Sequence, residues 1–244
     1  MGDLDTRIGG PAGSFPSTRQ SVLAALGDMT PEPRDRDLER LITIYWKPVY
    51  CLIRSSGARS NEDAKDLTQE FFTRVVLQGA LAERFTPDKG TFRAYLKTSV
   101  RNFLRNEHRD ATRLKRGAPL ALEIGEVDLL TVVPDPQALP PDQLFDASWR
   151  AVVVGKAVQI LRERLEAQHK SVLFDVFRRY DLGEDGAQAS YETIGRALGI
   201  GPDTVKNHLT RAREEFREAV RDVVCATVAD PKDLTGELRE LFGI

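Results

Sequence analysis

The sequence has only two cysteines among 244 residues, Cys51 and Cys225, and they stand far apart within apolar helical patterns. This excludes a disulfide framework or a cysteine metal site of the usual spacing, and both read as small buried hydrophobes. His108, His169 and His208 form no metal-ligating pair, and Val154, Gly155 and Lys156 lack the upstream glycine of a phosphate-binding loop. No catalytic constellation and no cofactor site is legible, so the expectation is a binding protein, not an enzyme. Long apolar runs are also missing. With Asp3 and Asp5 at the start and no stretch of membrane-spanning length, neither a secretory signal nor membrane insertion is expected, and the reading is cytoplasmic. Aromatics make up only 7% of the chain while Ala, Leu, Arg and Glu are plentiful, which favours an all-α protein. The net charge of -2 lacks the overall positive excess of a general nucleic-acid binder.

Positive charge is instead concentrated in one stretch. From Thr91 to Arg116 the cations Arg93, Lys97, Arg101, Arg105, Arg109 and Arg113 recur every four residues. On a helix that spacing makes a slowly winding row, and Phe92, Tyr95, Leu96, Val100, Phe103 and Leu104 make an apolar stripe beside it. Glu107 and Asp110 offset the row's self-repulsion only in part. A polyanion is the expected partner, against the plainer reading of a solvated cationic face. Tyr95, Asn102, Phe103 and Asn106 among the cations favour the first, because aromatics and amides are what hold unstacked bases.

Taken in order, residues 1–20 are rich in Gly, Pro and Ser and read as largely disordered, with a short helix expected over Thr18 to Leu26. A helix is predicted from about Asp35 to Ser56, kinked or split at Pro48. Ser60 with Asp63 forms a capping-box pattern for the next helix, which is expected to run to Gly79. Its inward positions are Ala64, Leu67, Phe71, Phe72, Val75 and Val76, and its outward ones Asp66, Gln69, Glu70 and Thr73. Alone, that acidic face reads as solvated surface. Pro87 to Gly90 then turn the chain into Thr91, the cap of the basic helix.

Residues 117–143 hold Pro119, Pro134, Pro136, Pro140 and Pro141 with no sustained period, the mark of an interdomain linker. Helical periodicity resumes at Leu144, and a polar insert covers Asp181 to Ala189. Tyr191 to Val220 reads as a helix with Ile194 and Leu198, a turn at Gly199 to Gly201, Pro202 at a first helical position, and a second helix with Val205, Leu209 and Phe216. This is a helix-turn-helix pattern, with a purely structural hairpin as the alternative. The second helix turns Asp203, Thr204, Lys206, Asn207, Thr210, Arg211 and Arg213 outward, residue types that read base edges and bind phosphates. The tail carries Leu234, Leu238, Leu241 and Phe242 on an acidic amphipathic segment and is expected to pack as a short helix.

The acidic DLTQEFF block (Asp66 to Phe72), the GTFRAYLKTSVRNFLRNEHRD helix (Gly90 to Asp110), the proline-rich linker and the helix-turn-helix YETIGRALGIGPDTVKNHLTRAR occur in a specific order. Together they resemble a bacterial RNA polymerase sigma factor of the sigma-70 family, of the compact extracytoplasmic-function type. FPSTRQSVL, YWKPVY and the tail TVADPKDLTGELRELF resemble one branch of that type. The resemblance implies two small helical domains joined by a linker. Residues 1–30 are then an N-terminal extension, 31–116 sigma region 2, 117–143 the linker, 144–224 sigma region 4 and 225–244 a tail.

It also implies partners. Asp66, Leu67, Gln69, Glu70 and Phe71 match the segment that contacts the clamp helices of the polymerase largest subunit, and the polymerase flap is a further contact. Tyr95, Arg101, Asn102, Arg105, Asn106, Arg109 and Arg113 fall where the family holds bases and phosphates of the minus-ten element. Asp203, Thr204, Lys206, Asn207, Thr210, Arg211 and Arg213 fall on the helix that reads the minus-thirty-five element. An anti-sigma protein is a candidate further partner. The chain differs from the common pattern in having Tyr95 where Trp is frequent, Arg101 where an aliphatic residue is commoner, and a longer loop before the helix-turn-helix. The alternative reading is a stand-alone helix-turn-helix regulator, which would bind duplex DNA without polymerase.

Overall fold

A computed structural model of the chain describes residues 31–58, 60–77, 90–111, 139–183, 189–228 and 233–243. The expected disorder of residues 1–20, the Thr18 to Leu26 helix and most of the proline-rich linker lie outside them. Among the described residues every regular element is helical. The helices are α1 (Pro31–Ser55), α2 (Asn61–Phe71) with a π-helical turn (Phe72–Leu77), α3 (Phe92–Ala111), α4 (Pro141–Ala167), α5 (Ser171–Tyr180), α6 (Tyr191–Leu198), α7 (Pro202–Cys225) and α8 (Asp233–Phe242).

Two compact units form, one of residues up to Val152 together with Val224 onward, the other of Val153–Val223. In the first unit, Tyr45 of α1 lies at the centre of an aromatic group. Its ring meets Phe92 edge-on at 5.4 Å and stands 6.5 Å from both Phe145 and Trp149. Trp46 stacks on Phe72 at 5.4 Å, and Phe71 packs edge-on against Phe103 at 5.6 Å. Pairs in these orientations contribute beyond the apolar area they bury. Pro48 does not split α1, which is one continuous helix to Ser55. Val49, Leu52 and Ile53 beyond it are fully buried, so packing on this face holds the helix through the position where the proline lacks a donor.

Ser60 caps α2 as its sequence predicts, its hydroxyl accepting from Asp63 N at 3.0 Å while Asp63 accepts from Ser60 N at 3.1 Å. The inward face is Ala64, Thr68 and Phe71, with Leu67 only half-buried. Thr68 is tolerated inside because its hydroxyl donates to Ala64 O at 2.6 Å. The change from α to π winding at Phe72 has no signal in the sequence pattern. It carries the Phe71–Phe72 pair, set edge-on at 5.5 Å, into the core together.

Leu144, Phe145 and Trp149, which read in sequence as the start of the second domain, are buried in the first unit. Cys51 Sγ donates to Ser148 Oγ there at 3.5 Å. Cys51 is buried as expected, whereas Cys225 is only half-buried. The tail also belongs to this unit: α8 buries Glu237, Leu238 and Leu241.

In the second unit Leu161, Leu165, Leu173, Val176, Phe177, Ile194, Val205, Leu209 and Ala212 form the core, with Phe216 packed against it. Ser190 caps α6, its hydroxyl accepting from Thr193 N at 3.2 Å. Gly199 ends the helix in the left-handed region at φ 68°. Gly195 O accepts from Ile200 N at 2.9 Å, and α7 begins at Pro202 with Val205 N donating to Gly201 O at 3.0 Å.

Candidate nucleic-acid interface

Helix α3 begins as the sequence predicts, with Thr91 Oγ1 accepting from Ala94 N at 3.2 Å. Phe92, Leu96, Val100 and Phe103 are buried, and Leu104 and Tyr95 half-buried. The cation row beside them is not a uniform surface. Arg93 is 2% exposed and enclosed by carboxylates: Asp146 at 2.5 Å, Glu237 at 2.9 Å and Glu240 at 3.1 Å. Its guanidinium also lies 5.5 Å from the centre of the Trp149 ring. Burial pulls its pKa down, but the carboxylates, Glu237 foremost, outweigh burial and leave it raised. Tyr45 beside it is also pushed up, by burial first and then by the charge of Glu237.

One turn on, Lys97 donates to both oxygens of Asp146 at 3.1 Å and is 15% exposed. A further turn on, Arg101 pairs with Asp142 while staying 45% exposed. Asn102, Arg105 and Asn106 are exposed. The Arg109 side chain and Arg113 lie outside the described residues. The uniform positive stripe expected over this helix is thus corrected at its start, where Arg93 is structural. The acidic partners that sequence reasoning missed had a signal, since Asp142 and Asp146 repeat the cations' own spacing of four.

The face expected to meet polymerase divides similarly. Asp66 is exposed, and Leu67, Gln69 and Glu70 are half-buried, but Phe71 is fully buried. Phe71 is therefore a core residue here, not part of an open docking face, because its ring is enclosed by Phe72 and Phe103. Glu70 pairs with Arg74, which reaches on to Glu107 of α3 at 2.8 Å. The acidic face and the basic helix are thus joined by one ion-paired arginine.

On α7, Asp203, Lys206, Asn207, Thr210 and Arg211 are exposed and Thr204 is half-buried. Arg213 differs. Its guanidinium is held bidentately by Asp181, at 2.9 Å through Nε and 2.6 Å through a terminal nitrogen, and lies 5.5 Å from the centre of the Tyr180 ring. The hydrogen bonds to Asp181 raise its pKa. A fork-to-fork pair of this kind fixes direction as well as charge. Arg213 thus turns outward, as expected, but is already paired, the partner coming from the start of the polar insert. Replacing Asp181 by Ala is expected to free this guanidinium and steepen the salt dependence of duplex binding by roughly 0.9, one phosphate contact. Anisotropy titrations over a salt series check it.

No helix among the described residues is long and apolar enough to cross a membrane. A family model described as Sigma-70 region 2 matches residues 41–114, the span of most of α1, α2, the π turn and α3. Over 204 residues the chain is 28% identical to the ECF RNA polymerase sigma factor SigE of Mycolicibacterium smegmatis, an alignment covering 82% of this chain and 67% of that protein. No solved structure matches it. The region 2 match thus spans the capped acidic helix and the basic helix, and the similarity to a curated extracytoplasmic-function sigma factor runs through most of the chain.

Proposed function

We propose that the chain acts as a non-enzymatic initiation factor in the cytoplasm. It docks on core RNA polymerase through Asp66, Leu67, Gln69 and Glu70, and holds unpaired minus-ten bases and phosphates along the exposed end of α3. Duplex minus-thirty-five DNA is met by α7. The observation that carries this reading is the division of α3. One side is bound into an aromatic core, and Asn102, Arg105 and Asn106 at the far end are presented to solvent. Amides and guanidinia on a rigid helix suit splayed bases and the phosphates between them. Unstacking costs a few kcal/mol per step, and stacking on aromatic side chains returns about 1–3 kcal/mol per base.

No covalent step is required of the chain's own residues. Binding at three places on one polypeptide raises the effective concentration of each promoter contact once polymerase is engaged. Arg105→Ala is expected to slow open-complex formation while leaving core binding intact, and Glu70→Lys to weaken core binding itself while leaving the fold intact. The test is transcription from a candidate promoter by core polymerase with and without the purified chain. Initiation that depends on the chain supports the reading. Duplex binding without any association with core would replace it by the stand-alone regulator.

A further inference from the structure

Along α3 the exposure of the cations rises from 2% at Arg93 to 15% at Lys97 and 45% at Arg101. All three are engaged by the first two turns of α4, Asp146 taking Arg93 and Lys97 and Asp142 taking Arg101. The two aspartates are one helical turn apart, as Lys97 and Arg101 are, so an anionic edge lies along the cationic one. We propose that the start of α4 is a built-in stand-in for the DNA backbone, with Asp142 occupying Arg101 until a nucleic-acid phosphate takes its place. This rests on the reading of α3 as a single-strand DNA site.

The gradient in burial decides which pair can exchange. Buried pairs are screened little and lose much when one partner leaves, so Arg93 stays with Asp146 and Glu237. The Arg101–Asp142 pair has both side chains near half exposure, 45% and 47%, where an ion pair is weak and salt-sensitive. A phosphate competing for Arg101 therefore displaces a weak partner and need not open the core. Lys97 is the intermediate case, sharing Asp146 with Arg93. The consequence is a factor whose melting helix is partly neutralised until DNA is delivered to it, in keeping with a net charge of -2. Free DNA is met by the exposed end of the row, and Arg101 joins once the strand is in place.

The test uses the full-length chain and a fluorescein-labelled single-stranded oligonucleotide carrying a candidate minus-ten sequence, followed by anisotropy over a salt series. Asp142→Asn is expected to tighten binding about two- to fivefold, the equivalent of removing one exposed ion pair. The double variant Asp142→Asn with Arg101→Gln should lose that gain. Glu166→Gln, which removes one negative charge from the exposed Arg162–Glu166 pair of α4, should leave binding unchanged. Unchanged affinity in Asp142→Asn overturns the proposal, as does an equal gain in Glu166→Gln or a gain that survives loss of Arg101. Arg105→Ala separates the two levels of the argument. If it weakens binding while Asp142→Asn does nothing, the α3 site stands and the stand-in does not. If neither it nor the wild-type chain shows binding that depends on α3, both fail.

Discussion

Arg93→Ala is expected to cost the first unit about 3–5 kcal/mol, the penalty for removing one partner of a buried ion pair. Against typical stabilities of about 5–15 kcal/mol, that is a large share of what holds a domain folded. The reason lies in what stays behind. Glu237 is 4% exposed, and without the guanidinium its carboxylate has lost the cation that accompanied it into the interior. Asp146 keeps Lys97, and Glu240 at 61% exposure is solvated, so Glu237 carries most of the penalty. Replacing both members, Arg93→Met with Glu237→Leu, should recover part of the loss, since apolar pairs of similar volume often replace buried ions at little cost. Glu237→Gln should be milder than Arg93→Ala, because Asp146 and Glu240 still face the cation. The chain offers a clean probe. Its two tryptophans, Trp46 and Trp149, both lie in the first unit, so tryptophan fluorescence in a urea titration follows that unit's unfolding. An unchanged midpoint in Arg93→Ala would mean that the carboxylates around it contribute nothing net.

This cluster also shows where reading the sequence stops. The cation row, its apolar stripe and the Thr91 cap are legible because spacing of three and four residues on a helix is a local property. That Arg93 is a core residue is not local: it depends on α4 and α8, whose contacting carboxylates lie 53 and 144 residues further along. For Phe71, already read as an inward position, what spacing does not show is that Phe72 and Phe103 enclose its ring fully, which takes it out of the docking face the resemblance implied. The capping box at Ser60 and the glycine turn of the second unit were legible for the opposite reason, since each is fixed by residues within a few positions of one another. Asp181 falls between these cases. The extra length of its loop is visible in sequence, but its grip on Arg213 is a matter of geometry.

Gly195→Ala is expected to have the second large effect, confined to the other unit. By helix propensity alone the change should help, by up to about 1 kcal/mol. Sterics oppose it. A Cβ on Gly195 would lie 2.5 Å from the backbone oxygen of Ile200, too close for any real contact, and this neighbour is not a flexible side chain that can move aside. The turn itself must shift. Gly195 O accepts from both Gly199 N and Ile200 N, so the shift strains the hydrogen bonds that end α6 and set the start of α7. Overpacking of this kind costs about 1–3 kcal/mol, which exceeds the propensity gain at all but its low end. Gly199 provides the contrast, for its Cβ would meet nothing and only its φ of 68° is demanding. Gly199→Asn should therefore be tolerated, asparagine being a residue that enters the left-handed region readily. The measurements are thermal unfolding by circular dichroism and anisotropy on a duplex minus-thirty-five oligonucleotide. Gly195→Ala should lower the transition of the second unit and weaken duplex binding by about tenfold, the equivalent of 1.4 kcal/mol. Tryptophan fluorescence should not respond, because no tryptophan lies between Val153 and Val223. If Gly199→Asn proved the more damaging of the two, backbone conformation, not the close approach of Gly195 to Ile200, would be what the turn requires of its glycines.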